Sequence, residues 1–267
     1  MLKDITLGQY FPGNTIVHRL DPRTKLMLTV LFIACIFTAK SYISYLAAFL
    51  SLSLYVALSR VNPALLLRGL KPLLFIMAFT SLINIFYTEG TPLLTIWRLT
   101  ITVEGVRLGV FMLLRVTMLV AGTFLLTYTT SPIAITDGLE SAMSPLKRFR
   151  VPVHELSMMM SIALRFIPTL IEETDKIMSA QKARGANFET GKLTDRARAL
   201  LPLLVPLFVS AFRRADELAI AMECRCYNGG EGRTRMKELK YKGADAVAIA
   251  AGFALLALII WLSSMGM

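Results

Sequence analysis

A chain of 267 residues that is 55% hydrophobic, with a mean hydropathy of +0.60, is too apolar for a water-soluble domain of this size and reads as an integral membrane protein. Its 29 Lys and Arg outnumber 18 Asp and Glu, giving +11. That excess serves membrane orientation and headgroup contact; no basic run is interleaved with a nucleic-acid-binding motif, so nucleic acid is excluded as a partner.

The opening holds Lys3, Asp4, Gly8, Tyr10, Pro12 and Gly13 before any long apolar run, so no cleavable signal peptide is expected. A hydrocarbon core of about 30 Å needs about 20 apolar helical residues. Four segments come close in the first half: Leu26–Ala39, Tyr42–Leu58, Leu70–Tyr87 and Val106–Tyr128. The first two are short and are joined by Lys40-Ser41. A fifth, Ala244–Leu262, places Trp261 near its outer interface.

Charge sets the orientation. Lys3, Arg19, Arg23 and Lys25 precede the first span, Arg60, Arg68 and Lys71 separate the second from the third, and 18 Lys and Arg lie between Lys147 and Lys242. The alternate loops hold only Lys40, Arg98 and Arg107. This asymmetry predicts a cytoplasmic N-terminus and an external C-terminus, in keeping with five spans. Arg115 falls inside the fourth span, where a charge is costly. It reads as a bundle-facing residue that pairs or contacts a partner, or equally as one that snorkels outward with Arg107.

Residues 131–243 are too apolar for a tail and too charged to span. Ser131-Pro132 starts a short helix that Ser144-Pro145 ends. From Val153 to about Arg184, apolar residues recur at three- and four-residue steps, which predicts one long amphipathic helix, with Pro168 as a possible kink. A second runs from a Thr194-Asp195 cap to about Tyr227; its apolar stretch Ala199–Phe212 holds Pro202 and Pro206 and reads as interfacial or buried rather than as a sixth span. The division predicted is therefore 1–130, an N-terminal transmembrane bundle; 131–243, a cytoplasmic region with two long amphipathic helices; and 244–267, a C-terminal transmembrane helix. The fold class is all-α, an integral membrane helical bundle.

Both long helices end alike: Ala183-Arg184-Gly185 closes the first and Cys224-Arg225-Cys226 the second, before Asn228-Gly229-Gly230. A single basic residue at a helix C-terminus is ordinary. Two such tips, each with small neighbours that let a planar five-donor guanidinium approach a surface closely, suggest docking to two copies of a similar partner. Fourteen methionines, among them Met158-Met159-Met160, Met143, Met178 and Met222, suit an adaptable surface as well as simple core filling.

Sites for chemistry are missing from the pattern. There is no phosphate loop, no Gly-x-Ser-x-Gly and no His-Glu-x-x-His; His18 and His154 stand far apart, and carboxylates are nearly absent from the spans. Cys224 and Cys226 lack a second pair of ligands, so no metal is expected, and with Cys35 they make no disulfide framework. The chain has neither an engine nor an evident substrate site, which points to a coupling or scaffold subunit.

Over nearly its whole length the chain resembles the T component of energy-coupling factor transporters, the membrane coupling subunit of ABC-type importers of vitamins and metals. The resemblance rests on Gly8-Gln9-Tyr10 with Pro12-Gly13, on His18-x-Leu20-Asp21-Pro22-Arg23-Thr24-Lys25-Leu26, and on Ala183-Arg184-Gly185 and Ala221-Met222-Glu223-Cys224-Arg225-Cys226-Tyr227 followed by Gly232-Arg233-Thr234. The family carries two Ala-Arg-Gly-type signatures; the second is Cys-Arg-Cys here. The resemblance implies that Ala183, Arg184, Gly185, Cys224, Arg225 and Cys226 dock two ABC-type ATPase subunits (EcfA and EcfA′), which bind the ATP, and that the bundle passes their motion to an interchangeable substrate-binding S component. It implies no cofactor bound by this chain and no catalysis of its own. Two other readings stay open from the residues alone: a conventional ABC importer permease that binds substrate itself, and an intramembrane enzyme without a familiar motif.

Overall fold

The structure, a computed structural model, describes residues 10–96, 99–186, 193–229 and 239–265. The Gly8-Gln9 start and the Gly232-Arg233-Thr234 run of the family resemblance lie outside these residues.

Helix α1 (Pro22–Thr38) starts behind Asp21, whose carboxylate accepts the Arg23 N–H at 3.0 Å, with proline at the first helical position. Helix α2 (Tyr42–Ser59) is capped by Ser41, and α3 (Pro63–Tyr87) by Asn62. A short antiparallel ribbon follows, β1 (Pro92–Ile96) and β2 (Leu99–Thr102), with Thr95-Ile96 and Thr100-Ile101-Thr102 supplying β-branched residues. This ribbon holds the only strands among the described residues. It is fastened at its base: Thr102 caps α4 (Val103–Thr129) through the Gly105 N–H and donates to the Thr88 carbonyl at 2.8 Å. After α5 (Pro132–Ala142) and a 3-10 turn (Ser144–Phe149) come two helices of 31 residues each, α6 (Val153–Ala183) and α7 (Leu193–Glu223), and then α8 (Gly243–Ser264). α6 runs unbroken through Pro168, and α7 through Pro202 and Pro206. Thr194 and Asp195 stand in the first turn of α7 rather than ahead of it.

Two compact units result, one of Gly8–Leu139 with Leu239–Met267, the other built on Glu140–Glu238. In the first unit, α2, α3, α4 and α8 are each long and apolar enough to cross a membrane. α1, at 17 residues, runs parallel to α8 from end to end. At the start the Asp21 N–H donates to Asp245 Oδ1 at 2.8 Å, and at the finish Ser263 Oγ donates to the Thr38 carbonyl at 3.2 Å. α1 thus lies along a helix that is long and apolar enough to span.

One polar layer fixes the register of the bundle. Lys25, 2% exposed, donates from Nζ to the carbonyls of Thr129 at 2.9 Å and His18 at 3.2 Å. The same layer holds Asp245, 1% exposed, whose second oxygen accepts the Lys242 N–H at 2.8 Å. The ammonium thus covers the carbonyl end of α4, and the carboxylate sits on the amide end of α8, each where the helix dipole favours it. α1 begins, α4 ends and α8 begins in this one layer. Beside it the N-terminal turn closes on α4: the Phe11 N–H donates to the Tyr128 carbonyl at 3.0 Å, with their rings edge to face. His18 is held below its ordinary value, first by burial and then by the Lys25 charge.

Away from that layer, Cys35, Ile36, Tyr45, Ala48, Phe111, Met118 and Ile259 form a core shared by α1, α2, α4 and α8. α3 and α4 meet backbone to backbone. A β-carbon on Gly105 would come within 2.8 Å of the Ile85 carbonyl, and one on Gly109 within 2.9 Å of Ser81 Oγ, so the Gly-x-x-x-Gly of α4 is the close-approach face of that pair. Phe75, Ile76 and Phe79 point outward from α3 as a lipid-facing side would.

Candidate docking site

The two arginine tips are one local structure made twice. At the end of α6, Arg184 is the C-cap; the Gly185 N–H donates to the Lys182 carbonyl at 3.0 Å and the Ala186 N–H to the Gln181 carbonyl at 2.9 Å. These are the paired bonds of a Schellman turn, and Gly185 supplies the left-handed residue at φ +89°. At the end of α7 the Cys226 N–H donates to the Glu223 carbonyl at 2.8 Å and the Tyr227 N–H to the Met222 carbonyl at 3.0 Å. Arg225 therefore fills the C-cap position of Arg184, and Cys226, at φ +54°, fills the position of Gly185. Ala183, Arg184, Gly185, Cys224, Arg225 and Cys226 are all exposed. Among the described residues neither guanidinium has a side-chain partner. Each tip therefore presents a free, fully donating cation on a helix end whose carbonyls are already satisfied.

The helices behind the tips are joined by Arg214 of α7, which donates to Glu173 Oε2 of α6 at 2.7 Å, with both side chains partly covered. Each partner lies eleven residues before its own tip, about 16 Å along the helix axis and back on nearly the same face. The amphipathic pattern reveals both helices but not this pair, because α6 carries six other Asp, Glu, Lys and Arg residues. At the start of α6, Ser157 Oγ donates to Glu140 Oε2 at 2.7 Å and His154 Nδ1 lies 3.3 Å from Oε1. The 6% exposed Glu140 thereby ties the end of α5 to α6. His154 is thus a packing residue, far from His18 in role as in sequence.

Beyond this anchor, large apolar side chains are exposed. Met159 and Met160 on α6 are exposed, as are Leu201, Val205, Phe208 and Phe212 on α7. Among the described residues, α7 is not one of the helices long and apolar enough to cross a membrane.

Arg115 lies inside the bundle. Its Nε donates to Tyr45 Oη at 3.0 Å and its guanidinium stands over the Phe37 ring at 5.9 Å. Tyr45 in turn stacks on Phe111, whose ring also meets Arg107 at 5.4 Å. Tyr45 of α2 and Phe37 of α1 thus stand against its charge. Among the described residues no group of His, Cys, Asp and Glu could hold a metal ion.

Comparison with known proteins gives one answer. The CbiQ family, described as cobalt transport protein, matches residues 13–236, a range that holds both tips. A protein of Thermosediminibacter oceani named energy-coupling factor transporter transmembrane protein EcfT is 53% identical over 250 residues, covering 94% of each chain. Proteins of the same name from Acidaminococcus fermentans and Bacillus subtilis are 53% and 49% identical; they cover 98% of this chain and 98% and 99% of their own.

Proposed function

The chain belongs to the CbiQ family and is the transmembrane T component of an energy-coupling factor transporter; from that premise we propose that it couples two ABC-type ATPase subunits to a separate substrate-binding S component during uptake of a vitamin or other micronutrient. Arg184 and Arg225 each dock one ATPase. The observation that carries this is the repetition of one arginine cap, without a side-chain partner among the described residues, at the ends of α6 and α7, joined behind by the Glu173–Arg214 ion pair. A planar guanidinium entering a groove finds carbonyl and carboxylate acceptors there and loses few internal bonds in doing so.

ATP drives the ATPases together and apart. A partner can shift this chain between arrangements only through contacts that differ between them. Two caps held on one crossing satisfy that condition, because a change in their spacing must be taken up where Glu173 meets Arg214. The exposed methionine-bearing and apolar faces of α6 and α7 then act on the S component. The chain itself hydrolyses nothing. The basic segment between α4 and α8 leaves and rejoins the bundle at one level, the Lys25 layer, which supports a cytoplasmic N-terminus and tips on the ATP side.

The test is removal of both caps. Arg184→Ala with Arg225→Ala should leave the chain inserted in the membrane but abolish ATPase co-purification and ATP-driven uptake. Each single change should weaken ATPase retention by about 2–5 kcal/mol, as loss of one member of a desolvated charged contact does. Transport retained by the double variant would refute docking through the caps, and uptake by the chain without an S component would favour a permease that binds substrate itself.

A further inference from the structure

Two cavities of the first unit are neighbours. One, of about 770 Å³, lies at the level of the Lys25 layer, between the N-terminal turn and the link from α2 to α3; its lining is largely apolar, with Asn14, Thr15, Arg60 and Asn62 among its polar members. The other, of about 580 Å³, is an apolar slot between α1, α2 and α8 with no charged residue in its lining. Ile16 and Leu58 line both. Each volume falls in the ordinary range of ligand sites.

We propose that the two together bind one anionic phospholipid from the leaflet at the Lys25 end, with its phosphate at Arg60 and an acyl chain between α1, α2 and α8. Three observations favour a lipid over a protein segment or a free anion. The first is charge: Arg60 is the fixed cation of the larger cavity, and no acidic residue lines either one. Arg60 closes α2 in a left-handed conformation at φ 53°, and its guanidinium has no partner among the described residues. Beside it the Asn62 Oδ1 is committed to the Ala64 N–H at 2.9 Å, so its Nδ2 remains as a donor. The second is depth. Along α8 the slot runs from Ala244 to Leu255, about 16 Å of helix, which is half of the ~30 Å hydrocarbon core, the depth of one leaflet. The third is polarity order: the charged end lies at the interface level and the uncharged end runs inward, as in a lipid and unlike a soluble phosphate compound.

The full chain, purified in detergent and mixed with dioleoyl phosphatidylglycerol or dioleoyl phosphatidylcholine, can be examined by native mass spectrometry. Phosphatidylglycerol should be retained preferentially. Arg60→Glu should lower its retention by about tenfold or more, as loss of a charge-assisted contact would, and Arg60→Lys should restore most of it. Ala251→Trp, which fills the slot, should lower retention of both lipids, whereas Arg68→Glu, an exposed charge outside the slot, should change neither. Equal retention of the two lipids, or an Arg68→Glu loss matching that of Arg60→Glu, would overturn the proposal. So would a photoreactive group at Val247 that captures a protein rather than phosphatidylglycerol in the assembled transporter. None of these outcomes depends on whether the arginine caps dock ATPases.

Discussion

Cys226 stands where the backbone favours a residue without a side chain. A β-carbon in the left-handed region costs about 1–2 kcal/mol, and the matching position in the first cap is glycine. Nothing lies within 4 Å of a β-carbon placed on Gly185, so the constraint there is conformational rather than steric. Cys226→Gly should therefore tighten the α7 cap by about 1 kcal/mol, and Gly185→Ala should loosen the α6 cap by a similar amount. Hydrogen exchange of the Tyr227 and Ala186 amides, each the outer donor of its turn, reads the two effects directly: protection should rise several-fold in the first variant and fall in the second. Equal protection in parent and variants would mean that the caps are not held by these bonds. Sequence alone shows that arginine recurs between small residues. It does not show that cysteine and glycine share one backbone state, because a cysteine at positive φ has no signature of its own.

At the scale of elements, the long helices are legible from apolar spacing, and their ends agree within about four residues except at α3, which begins at Pro63 rather than at the predicted Leu70 because Arg68 interrupts the apolar run. The ribbon between α3 and α4 escapes that reading, since its strands of five and four residues are too short for periodicity to separate from loop. The Gly105-to-Gly109 contact and the Glu173–Arg214 pair escape for a different reason. Both are defined by a second element far along the chain, and one charged face offers several equivalent partners. The ion pair has a consequence for coupling. If spacing of the caps is transmitted at this crossing, Glu173→Gln should lower uptake per ATP hydrolysed while ATPase retention stays unchanged. Exchange of the two residues, Glu173→Arg with Arg214→Glu, should recover most of it. A double-mutant cycle on thermal stability should give a coupling of about 0.5–1 kcal/mol, the scale for a partly exposed pair. Additive single effects would show that the contact transmits nothing.

Across the whole molecule, the Lys25 layer decides topology. Lys25→Met would leave the Thr129 and His18 carbonyls without their donor, at about 1–3 kcal/mol for each buried acceptor, and should lower the melting temperature of the detergent-solubilised chain accordingly. Its larger meaning is geometric. Because α1 begins, α4 ends and α8 begins in one layer, the N-terminal turn and both ends of the basic segment lie on one side of the membrane, and the end of α8 lies on the other. On the proposed orientation the basic side is the cytoplasmic one, and the native cysteines can test it. Cys224 and Cys226 are exposed on the second cap, whereas Cys35 is fully buried in the bundle core. A membrane-impermeant maleimide should leave the native chain unlabelled in intact cells and label it in inverted vesicles, through the cap alone. In a variant lacking both cap cysteines, Ser264→Cys should show the reverse pattern. Labelling of the native chain from outside intact cells would put the arginine caps away from ATP, and the coupling role would fall with that single result.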